Sequence, residues 1–155
     1  MKTQSESDLS KINVLVVGDV MLDYYLLGKV NRMSPEAPVP VVDIDQKQHC
    51  LGGAANVALN IKALGANPIL LSMAGTDITG NLLVSMLRDA GINCSIVRLK
   101  ERITTLKTRI FDHYKQILRF DEEQTGYLNT VQEELMIRRC KKIISTQSID
   151  VIILD

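Results

Sequence analysis

The sequence predicts an α/β domain organised around a parallel sheet. Ile12 to Val17 is a continuous aliphatic and β-branched run, the pattern of a strand buried on both faces. Further runs of that kind, Pro68 to Ala74, Ile92 to Leu99 and Asp150 to Asp155, alternate with stretches of helical periodicity. The stretch around which the rest is organised is Gln48 to Gly65, where a glycine pair opens directly into a helix.

The first strand ends at Gly18-Asp19, and ligands of open α/β sheets collect outside the carboxyl ends of such strands. Asp19 and Asp23 of Gly-Asp-Val-Met-Leu-Asp therefore stand where a site would be. A turn residue is the commoner role for Asp19. For Asp23 a turn and a ligand for sugar hydroxyls are both open.

No helix follows this strand, a departure from plain doubly wound order. Tyr24 to Val30 and Val39 to Asp45 read as short strands, and the prolines between them favour extended backbone at an edge. Gly52 and Gly53 then form the hinge into a helix whose apolar positions Val57, Ile61 and Leu64 recur at helical spacing, with Gly65 placed as a left-handed cap. A helix N-terminus carries free N–H groups that suit a polar or anionic ligand. Asn56 in the first turn, with Asn60 one turn on, offers amide donors and acceptors to hydroxyls. Tight packing of loop on sheet is the competing reading. The dinucleotide fingerprint does not fit, because Gln46 to Cys50 is polar and no third glycine follows in register.

Gly80 to Ala90 reads as a helix with Leu83, Met86, Leu87 and Ala90 on one stripe and Gly91 as its cap. Ile103 to Phe111 and Gln116 to Asp121 flank the polar turn Asp112-His113-Tyr114-Lys115 and read as a hairpin belonging to the earlier excursion. Thr105, Lys107 and Arg109 share one face of its first strand. Thr130 followed by Glu133 is a capping-box signature for a helix reaching about Ile144, whose Arg138, Arg139, Lys141 and Lys142 form a solvated basic face. The apolar run to Asp155 is expected to be a buried strand, so the chain has the character of the first part of a longer domain.

The bounds agree. A chain of 155 residues with 46% hydrophobic content supports one sizeable core. Equal acidic and basic counts, 18 each, give no general pull toward nucleic acid or anionic membrane, so neither is expected as a partner. Cys50, Cys94 and Cys140 lack metal-ligand spacing and are odd in number, which fits a reducing compartment. The polar start has no apolar leader core, and no run approaches ~18 apolar residues. A cytoplasmic location is expected.

Gly18-Asp-Val-Met-Leu-Asp23-Tyr, Arg32-Met-Ser-Pro-Glu-Ala-Pro-Val-Pro-Val41 and Gly52-Gly-Ala-Ala-Asn-Val-Ala-Leu-Asn-Ile-Lys-Ala-Leu-Gly-Ala66 together resemble the kinase domain of the bacterial heptose 7-phosphate kinases. That domain, N-terminal in the bifunctional ADP-heptose synthase, is of the ribokinase-like, or phosphofructokinase-B type. The glycine-rich stretch is similar to a signature of the whole superfamily, whereas Ser-Pro-Glu-Ala-Pro-Val-Pro is much narrower.

The resemblance implies a three-layer α/β/α ribokinase-like domain with a small β lid, truncated in its C-terminal half. Residues 1–11 would be a polar lead and 12–155 the N-terminal part of the domain, with lid segments at about 24–47 and 103–121. Asp23, Gly52, Gly53 and Asn56 would bind sugar hydroxyls, and the lid would make homodimer contacts. The reaction would be phosphorylation of the anomeric hydroxyl of D-glycero-D-manno-heptose 7-phosphate by ATP with Mg²⁺, in ADP-heptose and lipopolysaccharide core synthesis. Phosphoryl transfer needs a base, donors for the developing charge and a metal on the nucleotide. The family's base lies in a second motif, Gly-Ala-Gly-Asp, which does not occur in this sequence. No residue here inherits the catalytic role, and the 155-residue chain alone is expected to be inactive. The distal phosphate needs a cation, for which Arg109 ranks first, with Lys107 on the same face and Arg32 and Arg119 behind; solvated lid charges are the alternative. The other functional readings are a sugar-phosphate binding module without chemistry and a kinase of the same family acting on another sugar.

Overall fold

The computed structural model describes residues 9–155. The expected polar lead lies outside the described residues as far as residue 8, and Leu9–Lys11 form a single 3₁₀ turn. The core sheet comprises β1 (Asn13–Val17), β4 (Asn67–Gly75), β5 (Asn93–Leu99) and β8 (Val151–Leu154), all parallel in the order β5-β4-β1-β8. Residue alternation divides each central strand between two cores. Val14, Val16, Leu70 and Ala74 face α1 (Ala54–Ala63) and α2 (Ile78–Asp89), whereas Leu15, Ile69 and Leu71 meet Ile143 of α3 (Thr130–Thr146) on the other side. The result is the three-layer α/β/α arrangement.

The second sheet is the lid, β2 (Val20–Met33), β3 (Pro40–Gly53), β6 (Thr105–Asp112) and β7 (Lys115–Glu122), in the order β3-β2-β6-β7. The hairpin β6-β7 joins the earlier excursion as expected, through parallel pairing of β6 on β2. At the lid's base Val20, Leu22 and Leu51 are buried in the same core as α1. Because β1 runs almost directly into β2, the lid rises from the carboxyl end of the central strand.

Several expectations are corrected. The lid strands are longer than their apolar runs, because ladder pairing from Val20↔Gly53 to Met33↔Pro40 holds polar residues such as Gln46 and Gln48 in strand. A strand therefore does lead into Gly53, although the absence of a third glycine still excludes the dinucleotide fingerprint. The buried face of α1 is Ala54, Ala55, Ala58 and Ile61, while Leu64 is 69% exposed. Small side chains let this helix approach the strands closely, a requirement that apolar spacing alone does not reveal. The helix α2 begins at Ile78 under an Asp77 cap, two residues before the expected Gly80. In α3 the capping box is Asn129 with Gln132, one residue ahead of Thr130 and Glu133. Strand β8 is not buried: Val151, Ile152 and Leu154 are 45%, 49% and 80% exposed, since only β1 pairs with it among the described residues.

Candidate functional site

In the core sheet the strands after β1 are added on the β4 side, and the chain then returns to place β8 on the other. This reversal at the carboxyl end of β1 is the place where open sheets bind ligands. A cavity of about 480 Å³ lies there, between the base of the lid and the carboxyl ends of β1 and β4, with Asp19, Met21, Met73, Arg102 and Thr105 in its wall. That volume suits a small ligand.

Beside it the lid presents one charged face. Register places Asp23 opposite Cys50 on β3 and Lys107 on β6, with Met21 opposite Gly52 and Tyr25 opposite Arg109. On that face Arg109 hydrogen-bonds and ion-pairs with Asp23 through Nη1 and Oδ1, and both side chains are only 19% exposed. The other oxygen, Asp23 Oδ2, lies over Gly52, 2.8 Å from where a Cβ would stand. Lys107 bridges Asp121 and Glu123, each at 3.4 Å. Arg119 forks onto Asp121 at 2.9 and 2.7 Å. The hydrogen bond from Arg119, with help from Lys107 and against some burial, pulls the Asp121 carboxyl down to about 2.

Gly53 caps α1 with φ +56°, and the amide of Ala54 donates to the Asp19 carbonyl at 2.9 Å. A Cβ on Gly53 would stand 2.4 Å from that same carbonyl oxygen, so the hinge requires glycine on both counts. Asp19 itself lies between β1 and β2 with its side chain 85% exposed. Asn56 is exposed on the first turn of α1.

The fold thus brings Asp23, Gly52, Lys107, Arg109 and Arg119 to one face, with Gly53 next in the chain and Asn56 on the helix that follows. It does not bring Arg32 there. Nine residues beyond Asp23 on β2, at ~3.3 Å per residue, Arg32 is on the order of 30 Å away.

Sequence reasoning missed two features. Arg102 lines the cavity with its side chain 16% exposed, facing the Asp19 carboxylate at 3.8 Å. No run of apolar spacing marks such a loop residue. Asp77 accepts from the Gly80 amide and from both the amide and hydroxyl of Thr104, which ties the loop bearing Arg102 to α2. That role was legible, since an Asp directly before a helical stripe is an N-cap signature.

The family model for pfkB family carbohydrate kinases matches residues 11–148. The chain belongs to the pfkB family of carbohydrate kinases. Among curated relatives of this pfkB chain, a D-beta-D-heptose 7-phosphate kinase of Bordetella bronchiseptica is 47% identical over 116 residues, covering 75% of this chain and 37% of the relative. A bifunctional protein HldE of Helicobacter pylori is 45% identical over 144 residues, 92% of this chain and 30% of the relative. The chain thus spans about a third of the length of these relatives. A carbohydrate kinase from Agrobacterium tumefaciens superposes with a TM-score of 0.59 at 21% identity, over 72% of this chain and 35% of that one. Fructokinase from Halothermothrix orenii does so at 0.53 and 25%, over 81% and 44%. The ribokinase-like fold is shared throughout, and the pfkB chain is partial relative to these enzymes.

Proposed function

We propose that this pfkB-family chain is the sugar-binding half of an ATP-dependent kinase acting on the anomeric hydroxyl of D-glycero-D-manno-heptose 7-phosphate. The observation that carries the reading is the Asp23 carboxylate held over Gly52, beside a cavity at the topological reversal of the sheet. A carboxylate accepts from hydroxyls, and the glycine beneath it leaves the space in which Asp23 holds that carboxylate. In this reading Asp23, Gly52, Gly53 and Asn56 hold the sugar, and Lys107 and Arg119 supply the cationic surroundings of the distal phosphate. Arg32 is too far along β2 to share them. The names of the relatives from Bordetella bronchiseptica and Helicobacter pylori support the heptose assignment.

What these residues do is bind and orient. Among the described residues no group of three or more His, Cys, Asp or Glu is arranged to hold a metal, and none is assigned here to ATP or Mg²⁺. Both belong, in this proposal, to the complete kinase, as do the homodimer through the lid, the cytoplasmic location and the place in ADP-heptose synthesis. Among the described residues no helix is long and apolar enough to cross a membrane.

Isothermal calorimetry of the 155-residue chain with heptose 7-phosphate tests the reading, with ATP turnover followed in parallel. Binding without phosphoryl transfer is expected, because losing the base and the anion hole costs several powers of ten. Absence of binding defeats the sugar site, and turnover at rates normal for a kinase defeats its assignment as half of one.

A further inference from the structure

We infer that Arg109 is a positioning residue that acts on the sugar through Asp23, and that it is not the ligand of the substrate's phosphate. This deepens the sugar-site reading above and rests on it.

Arg109 is committed on three sides. Its Nη1 donates to Asp23 Oδ1 and approaches the Lys107 carbonyl at 3.4 Å, and its guanidinium lies 5.6 Å from the centroid of the Tyr25 ring. The strand register makes the first contact diagonal, since Arg109 stands opposite Tyr25 and reaches back to the Asp23–Lys107 pair. Cross-strand diagonals of this length lie within reach of a long side chain. Both partners are mostly shielded from water, so their attraction is screened less than that of an exposed pair. A guanidinium held this way is a strut, and its charge is already matched by a carboxylate at contact. A second anion would have to compete for it.

The consequence falls on Asp23. With Oδ1 taken by Arg109, Oδ2 is directed over Gly52, alongside Met21 Cγ. One oxygen is thereby anchored and the other is offered. Without the anchor, χ1 and χ2 of Asp23 are free to sample other rotamers, and the offered oxygen is lost from its place for part of the time.

The two roles for Arg109 predict different binding patterns. Calorimetry on the 155-residue chain would compare heptose 7-phosphate with the same heptose lacking phosphate. If Arg109 positions Asp23, Arg109→Ala weakens both sugars by the same factor, roughly ten- to a hundredfold. The preference for the phosphorylated sugar stays at its wild-type value, Arg109→Lys recovers part of the affinity, and in an Asp23→Asn background Arg109→Ala costs nothing further. Loss confined to the phosphorylated sugar, or losses at Asp23 and Arg109 that simply add, overturns the inference and leaves the sugar site standing. Wild-type protein that binds neither sugar overturns the sugar site and this inference with it. Thermal melts accompany each variant; should Arg109→Ala fail to fold, Arg109→Lys carries the same comparison of the two sugars.

Discussion

Thr104 donates both its amide and its hydroxyl to the carboxylate of Asp77, at 2.7 and 2.8 Å. The hydroxyl also accepts from the Gly75 amide at 2.8 Å, and Asp77 accepts from the Gly80 amide at 2.7 Å. The end of β4, the start of α2 and the approach to β6 are thereby joined through two side chains, Asp77 and Thr104. Thr104 is 3% exposed, so any donor released there stays buried. Loss of a cap is worth about 1 kcal/mol and a stranded buried donor ~1–3 kcal/mol. Asp77→Ala is therefore expected to lower the unfolding free energy by about 2–4 kcal/mol in a urea titration. A change below ~0.5 kcal/mol, the scale of ordinary surface substitutions, would show that the network is dispensable.

The same network sets a pH dependence. Burial pushes the Asp77 carboxyl up, but the hydrogen bonds from the Thr104 amide and hydroxyl and the Gly80 amide, with the charge of Arg98, outweigh it and hold the group below the ordinary carboxylate value. A folded-state pKa below the unfolded one means that its stabilisation is complete above the unfolded value of ~3.9. It is lost as pH falls through the lowered folded value. Urea midpoints measured from ~pH 6 downward should hold level and then drop in that acid range, with a shallower drop in Asp77→Ala. Identical acid limbs for the two proteins would assign the titration to other groups.

Adjacent glycines should respond differently to alanine. At Gly53 the backbone is left-handed and the new Cβ would meet the Asp19 carbonyl, an atom that cannot move aside cheaply. Gly53→Ala is expected to cost ~1–3 kcal/mol of stability. At Gly52 the new Cβ would meet two side chains and no backbone, at Met21 Cγ and Asp23 Oδ2, both at 2.8 Å. Those atoms can shift, so folding should survive while the displaced carboxylate weakens heptose 7-phosphate binding by about tenfold or more. Equal stability losses at the two positions, with sugar affinity untouched in Gly52→Ala, would contradict this division.

Strand β8 presents Val151, Ile152 and Leu154 at a sheet edge with no partner strand on its outer side among the described residues. Exposed apolar edges template association. The 155-residue chain is expected to self-associate in light scattering as concentration rises, and Ile152→Lys to reduce that association. A monodisperse monomer at high concentration, with a cooperative melt, would refute the expectation.

The sequence by itself determined the parallel core, the interruption by a lid and the glycine hinge, because each rests on local chemistry. Continuous aliphatic runs such as Val14 to Val17 have no stable place except a doubly covered sheet, and Gly53, Gly65 and Gly91 stand where positive φ is required. The shared face of Lys107 and Arg109 followed from the period of two. Tertiary structure alone decided the partners on that face. Asp23 and Arg109 are 86 residues apart, and only the parallel pairing of β2 on β6 sets them on one diagonal and joins a residue that the sequence marks for sugar hydroxyls to one that it marks for the phosphate. It also decided that Gln46 and Gln48 lie in strand, that alanines form the buried face of α1, and that Asp77 reaches Thr104. Those outcomes depend on which backbone lies alongside, a relation between distant segments that no local spacing encodes.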